Sequence, residues 1–133
     1  MLLELRAEFT FDAAHHLPNY PGKCANVHGH RWRLEVRVLG VPSVTTGMVL
    51  DFGDLKQIVC NSVIDKVDHT DLNLDLPDRK GFPFFCPTAE NITAWVVRSL
   101  LPDLPTLCYV RLYESERDSV IWRRGNNENT GSE

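Results

Sequence analysis

Hydrophobic and polar residues alternate along the first fifteen positions of the chain. The odd positions are apolar from Leu3 to Ala13 and end at His15, whereas most of the even positions between them are charged. A period of two is typical of a strand that buries one face. The pattern therefore predicts a first strand over residues 3–15, with His15 on the buried face and His16 pointing away from it.

The same alternation returns after a loop at residues 17–27, which is rich in proline, glycine and asparagine. His28, His30 and Trp32 share one parity with Leu34 and the valines that follow, while arginines occupy most of the other parity. This predicts a second strand with both imidazoles on its buried side. The arginines could form a stripe for an anion or a nucleic acid, but a solvated or intersubunit strand face is the better interpretation.

Two later segments have a helical period. Asp51 is a predicted N-cap for a helix that continues to about Lys66, and Thr88 is a predicted N-cap for a second helix that Pro102 stops. The connection between them, residues 75–87, contains Arg79, Lys80 and several prolines. Arg79 and Lys80 are candidates for contact with an anionic ligand tail, although a mobile, solvated loop is the favoured interpretation.

Two more strands are predicted near the end of the chain. Alternation from about Thr106 to Glu114 predicts a third strand, and it places the carboxylate of Glu114 on the otherwise apolar face. Such a carboxylate is either wet at a strand end, or buried and paired as a binding group. After a short turn, the run V-I-W-R-R predicts a fourth strand, and residues 126–133 form a polar tail that we expect to be disordered.

The order of these elements predicts an α+β fold with a four-stranded antiparallel sheet and two helices on one face. Residues 1–125 form a single domain in this interpretation, because 133 residues with 43% hydrophobic content are sufficient for one ordinary core. Four strands are too few to close a barrel and leave open edges. We therefore expect the sheet edges to pair with other subunits.

Composition excludes several classes of function. A net charge of −4 argues against a nucleic-acid partner, and no apolar run is long enough to cross a bilayer. The first residues do not have the pattern of a signal peptide, so we expect a cytoplasmic protein. The four cysteines, Cys24, Cys60, Cys86 and Cys108, are widely spaced, which favours reduced thiols over a disulfide framework or a structural zinc knuckle.

The candidate chemistry gathers around the segment from Gly22 to His30. His15, His28 and His30 are three imidazoles on buried strand faces, and a catalytic zinc needs three such ligands with one open position. Cys24 lies in the same loop beside Lys23, where a thiolate could act as a nucleophile or base, although most single cysteines are small buried residues. A neighbouring carboxylate and imidazole, Asp68 and His69, could relay protons, but this pair is weak as a signal.

Six short motifs, in order along the chain, resemble those of a known family. They are F-D-A-A-H-H-L ending at Leu17, C-A-N-V-H-G-H at 24–30, G-M-V-L-D-F-G-D-L-K at 47–56, V-D-H-T-D-L-N at 67–73, P-T-A-E-N at 87–91, and Y-E at 113–114. Together they resemble the 6-pyruvoyl-tetrahydropterin synthase and 6-carboxy-tetrahydropterin synthase family over residues 9–125. Any one motif would be weak, whereas six in register are a specific signal.

The resemblance implies a fold, an assembly and roles for particular residues. It implies the tunnelling fold (T-fold), in which subunits join their sheets into a barrel, commonly as a homo-hexamer of two trimers. It further implies zinc (Zn2+) bound by His15, His28 and His30, and Cys24 as the general base. Asp68 and His69 would relay protons, while Glu114, helped by Thr88, would anchor a pterin ring.

The resemblance also implies a substrate, 7,8-dihydroneopterin triphosphate, and leaves two products open. Cys24 precedes His28 by four positions, and this short interval and the pair Asp51 and Phe52 resemble the bacterial carboxy-forming branch. The motifs G-M-V-L and D-H-T-D-L-N resemble the animal pyruvoyl-forming branch. The expected activity is a zinc-dependent lyase that forms 6-carboxy-5,6,7,8-tetrahydropterin, acetaldehyde and triphosphate for queuosine biosynthesis. The alternatives are triphosphate elimination to 6-pyruvoyl-tetrahydropterin, or a non-catalytic pterin- or metal-binding module.

Overall fold

A computed structural model describes residues 1–76 and 86–125 of the chain. Arg79, Lys80 and the tail at 126–133 lie outside the described residues. The strands are β1 (Leu3–His15), β2 (His28–Gly40), β3 (Thr70–Asp71), β4 (Leu107–Tyr113) and β5 (Ser119–Arg123). The helices are α1 (Phe52–Val59), α2 (Asp65–Val67), α3 (Leu72–Asp75) and α4 (Ala89–Leu100), with a π-helical segment at Cys60–Ile64 and a single 3₁₀ turn at Lys23–Ala25.

The strands form one sheet in the order β3-β1-β2-β4-β5. The four long strands pair antiparallel, as predicted, but the sheet has a fifth member that the sequence did not reveal. β3 consists of two residues and runs parallel to β1, opposite Ala13 and Ala14. A two-residue strand is too short to produce an alternating pattern, so only its contact with β1 identifies it.

The register of β1 and β2 brings the histidines together. The two strands pair without interruption from Leu3 opposite Gly40 to His15 opposite His28, and Ala13 lies opposite His30. A shift of one residue would turn every apolar side chain of β1 to the opposite face, so burial of that face fixes the register. The pairing therefore places all three imidazoles at one end of the sheet.

Both long helical segments pack on the face of the sheet that carries the apolar side chains. Asp51 and Thr88 are the N-caps, as predicted, and each side chain accepts a hydrogen bond from a backbone N–H three residues later. The first segment continues from α1 through the π-helical turn into α2, and its buried residues Leu55, Val59, Val63 and Val67 are spaced by four. Each step of four overshoots an α-helical turn by about 40°. The wider π turn offsets that drift and keeps this stripe on the sheet.

The parity predicted for β4 is correct at its centre and wrong at its beginning. Val110 and Leu112 are fully buried, but Leu107 is buried in place of Cys108. An irregularity opposite Arg37 and Val38 explains this, because one extra residue in β4 changes the face on which the preceding side chains lie. Cys108 is half-buried, and its thiol donates a hydrogen bond to the carbonyl of Arg37.

The other face of the sheet is polar but holds one buried carboxylate. Glu35 is 3% exposed, and its two oxygens lie 3.2 Å from Nε of Arg6 and 2.6 Å from Nε of Arg37. Burial alone would raise the pKa of Glu35, but the hydrogen bonds and charges of Arg37 and Arg6 hold it below its ordinary value. The face of β2 that carries the arginines thus holds a buried, paired carboxylate and is not only a row of solvated charges.

No helix among residues 1–76 and 86–125 is long and apolar enough to span a membrane.

Candidate metal and catalytic site

Three imidazole rings meet at the end of β1 and the beginning of β2. The ring centroid of His15 lies 4.6 Å from that of His28 and 5.1 Å from that of His30, and the latter two are 4.9 Å apart. One ring nitrogen from each residue lies within 4.8 Å of the other two. The ring of Trp32, which is fully buried, packs edgewise beneath His15 and His30 and forms the floor of the cluster.

Backbone carbonyls determine which nitrogen two of these rings present. Nδ1 of His15 lies 2.7 Å from the carbonyl oxygen of Pro87, and Nδ1 of His28 lies 2.7 Å from that of Asn26. A carbonyl can only accept, so each Nδ1 carries the proton and donates it. Each Nε2 is then unprotonated in the neutral ring and can bind a metal, which is the usual orientation of histidine ligands in metal sites.

Two ring nitrogens of the histidine cluster are buried without a partner in the described part of the chain. They are Nε2 of His15 and Nε2 of His30. A buried polar atom without a hydrogen bond is costly and needs an explanation. A bound metal ion would supply that missing partner. Three neutral imidazoles also form the ligand set of a catalytic zinc, so His15, His28 and His30 could hold such an ion.

Burial also favours the neutral, metal-binding form of these rings. It lowers the pKa of His15 below the ordinary value, with further lowering by His28 and His30, while the Pro87 carbonyl and Glu114 act in the opposite direction. Burial likewise lowers the pKa of His30, against the charge of Glu114. A lowered pKa means that less proton competition opposes metal binding near neutral pH.

Glu114 lies at this cluster. It follows the last residue of β4, and Oε1 of its carboxylate is 3.4 Å from Nε2 of His30, without the geometry of a hydrogen bond. Its side chain is 32% exposed. The sequence left two alternatives for Glu114, a solvated carboxylate at a strand end or a buried, paired binding group. The structure combines parts of each, because Glu114 is at a strand end and partly exposed but faces the histidines.

Asp68 and His69 form a close carboxylate–imidazole pair beside Asp12 of β1. Nδ1 of His69 lies 3.0 Å from Oδ1 of Asp68, and the same oxygen accepts the backbone N–H of Asp12 at 2.9 Å. That hydrogen bond from Asp12 is the main reason why the pKa of Asp68 lies below its ordinary value, and the contacts with His69 lower it further. The exposed ring of His69 is therefore held by an ionised carboxylate and presents Nε2 to the solvent.

The backbone at His69 is in the left-handed region, with φ of 59°. This conformation is uncommon for residues other than glycine and carries a cost of about 1 kcal/mol or more. Two features hold the backbone in this conformation. The His69 N–H donates a hydrogen bond to the carbonyl of Asp12 at 2.6 Å, and strand β3 begins at the next residue.

Cys24 and Thr88 make no hydrogen bond to the three histidines within the described part of the chain. Cys24 is half-buried in the 3₁₀ turn, and its carbonyl accepts the N–H of Leu17 at 2.7 Å. Within the described residues its thiol is not a member of the histidine cluster. Thr88 directly follows Pro87, so the residue that caps α4 is next to the carbonyl that holds His15.

His16 is outside the cluster. Its backbone N–H and carbonyl both bond to the side-chain amide of Asn73, at 2.9 Å and 3.0 Å. His16 lies just after the last residue of β1 and is not a member of the histidine cluster, although among the described residues its Nδ1 is also buried without a partner.

Sequence reasoning missed the residues that hold the site in position. The carbonyls of Pro87 and Asn26 carry no signal of residue type, because every residue has a carbonyl. The sequence identified Asp12 and Arg31 only as polar positions in two alternating strands, although Asp12 belongs to the F-D-A-A-H motif. Asp12 and Arg31 are direct cross-strand partners in the β1–β2 ladder. Only the alignment of the two strands, which the sequence does not give, could have shown this.

Comparisons with known proteins identify the family of this chain. Residues 4–125 match the family described as 6-pyruvoyl tetrahydropterin synthase. A relative from Dictyostelium discoideum named 6-pyruvoyl tetrahydrobiopterin synthase is 37% identical, over 77% of this chain and 74% of its own length. A relative from Haemophilus influenzae named 6-carboxy-5,6,7,8-tetrahydropterin synthase is 32% identical, over 86% and 94%.

A solved structure supports the same assignment. The 6-pyruvoyl tetrahydropterin synthase of Caenorhabditis elegans superposes with a TM-score of 0.81 at 26% identity, covering 92% of this chain and 96% of the other. The match confirms the expected T-fold, with the small parallel strand β3 as the difference from the predicted strand count. The sequence match over residues 4–125, the relatives and the fold show that this chain belongs to the 6-pyruvoyl tetrahydropterin synthase family.

Proposed function

We propose that this protein is a zinc-dependent lyase that converts 7,8-dihydroneopterin triphosphate and one water to 6-carboxy-5,6,7,8-tetrahydropterin, acetaldehyde and triphosphate. Family membership supports an enzyme that acts on a pterin. The observation that carries the choice of product is the interval of four positions from Cys24 to His28, which resembles the carboxy-forming branch. The relative named for that activity also aligns over nearly all of its length.

The zinc would be held by Nε2 of His15 and His30 and by the third imidazole, His28. The two buried Nε2 atoms without partners support this assignment. Zinc at this position would act as a Lewis acid on the bound substrate side chain. It would make a hydroxyl group more acidic and a carbonyl group more polarised.

Proton transfer in this proposal belongs to Cys24, Asp68 and His69. Cys24 removes a proton from a carbon of the substrate side chain as a thiolate general base. His69 gives and takes a proton at Nε2, since Asp68 accepts the hydrogen on Nδ1 and keeps the ring in one tautomer. The lowered pKa of Asp68 supports this orienting role, because the ionised carboxylate is the stronger acceptor for that hydrogen.

Glu114 would bind the pterin ring, with help from Thr88. A carboxylate facing the amino group and ring N–H of a pterin can accept two parallel hydrogen bonds, which gives both affinity and orientation. The position of Glu114 next to His30 supports a ring bound beside the metal, so that the substrate side chain reaches the zinc.

Assembly as a homo-hexamer of two trimers is part of the same proposal. Along Leu3 to Phe11, the outer edge of β1 has no strand partner among the described residues, and β5 is open on its outer side. An apolar groove of about 280 Å³ at the other end of β1 is lined by side chains that are partly exposed, including Leu3, Met48 and Phe52. Open edges and exposed apolar groups both favour association. Light scattering should give six times the mass of one chain, and the mass of a monomer would contradict the assembly.

A second candidate is triphosphate elimination to 6-pyruvoyl-tetrahydropterin. The relative that is 37% identical and named for a pyruvoyl product supports it, as do the motifs G-M-V-L and D-H-T-D-L-N. The two reactions differ in whether a carbon–carbon bond of the side chain breaks.

Product analysis distinguishes these candidates. Purified zinc-loaded protein is incubated with 7,8-dihydroneopterin triphosphate, aldehyde is trapped as a hydrazone, and the pterin is identified by mass. Stoichiometric acetaldehyde with a 6-carboxy product supports the proposal. A 6-pyruvoyl product without acetaldehyde supports the second candidate. Tight pterin binding with no product would identify a non-catalytic binding module.

A further inference from the structure

Asp12 is the docking point for the Asp68–His69 pair. Its N–H donates to the carboxylate of Asp68 at 2.9 Å, and its carbonyl accepts the N–H of His69 at 2.6 Å. Both backbone groups of Asp12 therefore point away from β2. In an antiparallel ladder this makes Asp12 and its cross-strand partner a non-hydrogen-bonded pair, in which the facing side chains are closest.

That partner is Arg31, which engages both oxygens of the Asp12 carboxylate. Nε of Arg31 lies 3.1 Å from Oδ1, and Nη2 lies 3.2 Å from Oδ2. The planar guanidinium matches a carboxylate in this two-point geometry. The hydrogen bond to Asp12 and the charge of Asp12 raise the pKa of Arg31 above its ordinary value, and the charge of Asp68 acts in the same direction.

The carboxylate of Asp12 would otherwise compete for His69. An oxygen of Asp12, an oxygen of Asp68 and a ring nitrogen of His69 all lie within 4.8 Å of one another. Two uncompensated carboxylates at that distance repel, and both could accept the hydrogen on the imidazole. Arg31 occupies both oxygens of one of them, so Asp68 remains the acceptor.

We propose that Arg31 is a positioning residue: through its two-point ion pair with Asp12, it keeps Asp68 as the only carboxylate available to orient His69. Among the described residues, Arg31 makes its hydrogen bonds and ion pair with Asp12 and none with the histidine cluster or His69. The catalytic consequence rests on the proposed function, because it assumes that His69 transfers a proton. The orientation of His69 does not rest on it.

The ion pair contributes little to folding, which makes it suitable for substitution. The side chains of Arg31 and Asp12 are 72% and 44% exposed, and solvent screens an exposed pair of this kind, so it adds little to stability. Arg31→Gln should therefore fold and retain zinc. Its effect should appear in the orientation of His69, where a small misplacement of a proton-transfer group can lower a rate by tenfold or more.

The kinetic experiment compares three variants of the zinc-loaded protein on 7,8-dihydroneopterin triphosphate. Arg31→Gln should lower kcat about tenfold with KM little changed, because the residue is expected to orient His69 and not to bind substrate. Adding Asp12→Asn to Arg31→Gln should restore most of kcat, because the competing charge is removed with its partner. Arg33→Gln, the next arginine on the same face of β2, serves as the control and should retain the kcat of the unmodified protein.

Each other kinetic pattern overturns the proposal. If Arg31 contacted the anionic substrate, Arg31→Gln would raise KM and Asp12→Asn would not rescue it. If the pair were merely structural, the double variant would be at least as impaired as Arg31→Gln. Equal kcat in Arg31→Gln and the unmodified protein would show that the ion pair has no role.

A second measurement is independent of turnover. The ¹⁵N chemical shifts of the His69 ring, assigned by their loss in His69→Gln, report which nitrogen carries the hydrogen. We expect the Nδ1–H tautomer in the unmodified protein and in the double variant, and a smaller population of it in Arg31→Gln. Identical populations in all three would contradict the proposal. If the unmodified protein turns over no substrate, the proposed function fails, and this measurement alone decides the role of Arg31.

Discussion

The Nδ1 atom of His15 donates a hydrogen bond of 2.7 Å to the carbonyl oxygen of Pro87, a residue 72 positions later in the chain. This contact joins the end of β1 to the residue just before the cap of α4. It directs Nε2 of His15 toward His28 and His30, so the segment that leads into α4 also orients a candidate metal ligand. The position of the site is thus coupled to the packing of the core.

Zinc binding is the first prediction. His28→Ala removes one of three ligands and should abolish tight zinc binding, since two imidazoles cannot complete the ligand set of a catalytic zinc. His28 is preferable to the fully buried His15 for this test, because truncation of His15 would also leave a cavity. Zinc content of the dialysed protein, measured by elemental analysis, should fall from one per chain to near zero.

His16→Ala is the matched control for zinc binding. His16 neighbours a ligand in sequence but contributes no nitrogen to the cluster, so this variant should retain one zinc per chain. Full zinc in His28→Ala, or loss of zinc in a folded His16→Ala, would contradict the ligand assignment.

Cys24→Ala should separate catalysis from binding. The thiol is not part of the histidine cluster, so zinc content and pterin affinity should stay unchanged. Loss of a general base should lower turnover by roughly 10²–10⁴. Cys60→Ala, at a half-buried cysteine in the π-helical segment, is the control and should keep full turnover. Normal activity in Cys24→Ala would exclude a role as base.

Glu114→Gln should weaken pterin binding while zinc is retained. The amide keeps the size of the side chain but replaces two charge-assisted acceptors with one neutral acceptor and a donor. The expected loss is about 1.5–3 kcal/mol, which corresponds to roughly 10- to 100-fold in Kd. Calorimetric titration with a dihydropterin measures it. Glu116→Gln, in the exposed turn two residues later, should bind normally. Equal affinities for both variants would remove Glu114 from the binding site.

Glu35→Gln should destabilise the fold in a pH-dependent manner. The pKa of Glu35 is held below its ordinary value of 4.5 in the folded protein, so its ionised form stabilises the fold at pH values above about 4.5. That contribution is lost as the pH falls through the lower, folded pKa, where the carboxyl is protonated in both states. At pH 7 the variant should be less stable by about 1–2 kcal/mol, since Arg6 and Arg37 remain partly exposed.

Urea unfolding of both proteins at several pH values measures this difference. The free energies of unfolding should converge as the pH is lowered from 6 toward 3. If the difference in free energy of unfolding were constant over this pH range, the shape of the Glu35 side chain, and not its charge, would determine the effect on stability. Glu4→Gln, which removes an exposed partner of Arg37, should change stability by less than 1 kcal/mol.

The sequence by itself determined the main elements and the identity of the three histidines. Alternation over residues 3–15 and 28–38 is a local property, because successive side chains of any strand point to opposite faces. The caps Asp51 and Thr88 are local for the same reason, since each bonds within its own first turn. These features required no knowledge of distant contacts, and the structure agrees with them.

Tertiary structure decided how the site is held. Strand β3, the bulge beside Cys108 and the Pro87 carbonyl on His15 all depend on which distant segments meet, and neither periodicity nor residue type records that. The same is true of Asp12, whose backbone docks Asp68 and His69 from 56 and 57 positions away. Backbone donors and acceptors are present at every residue, so only the folded chain selects the few that orient a catalytic group.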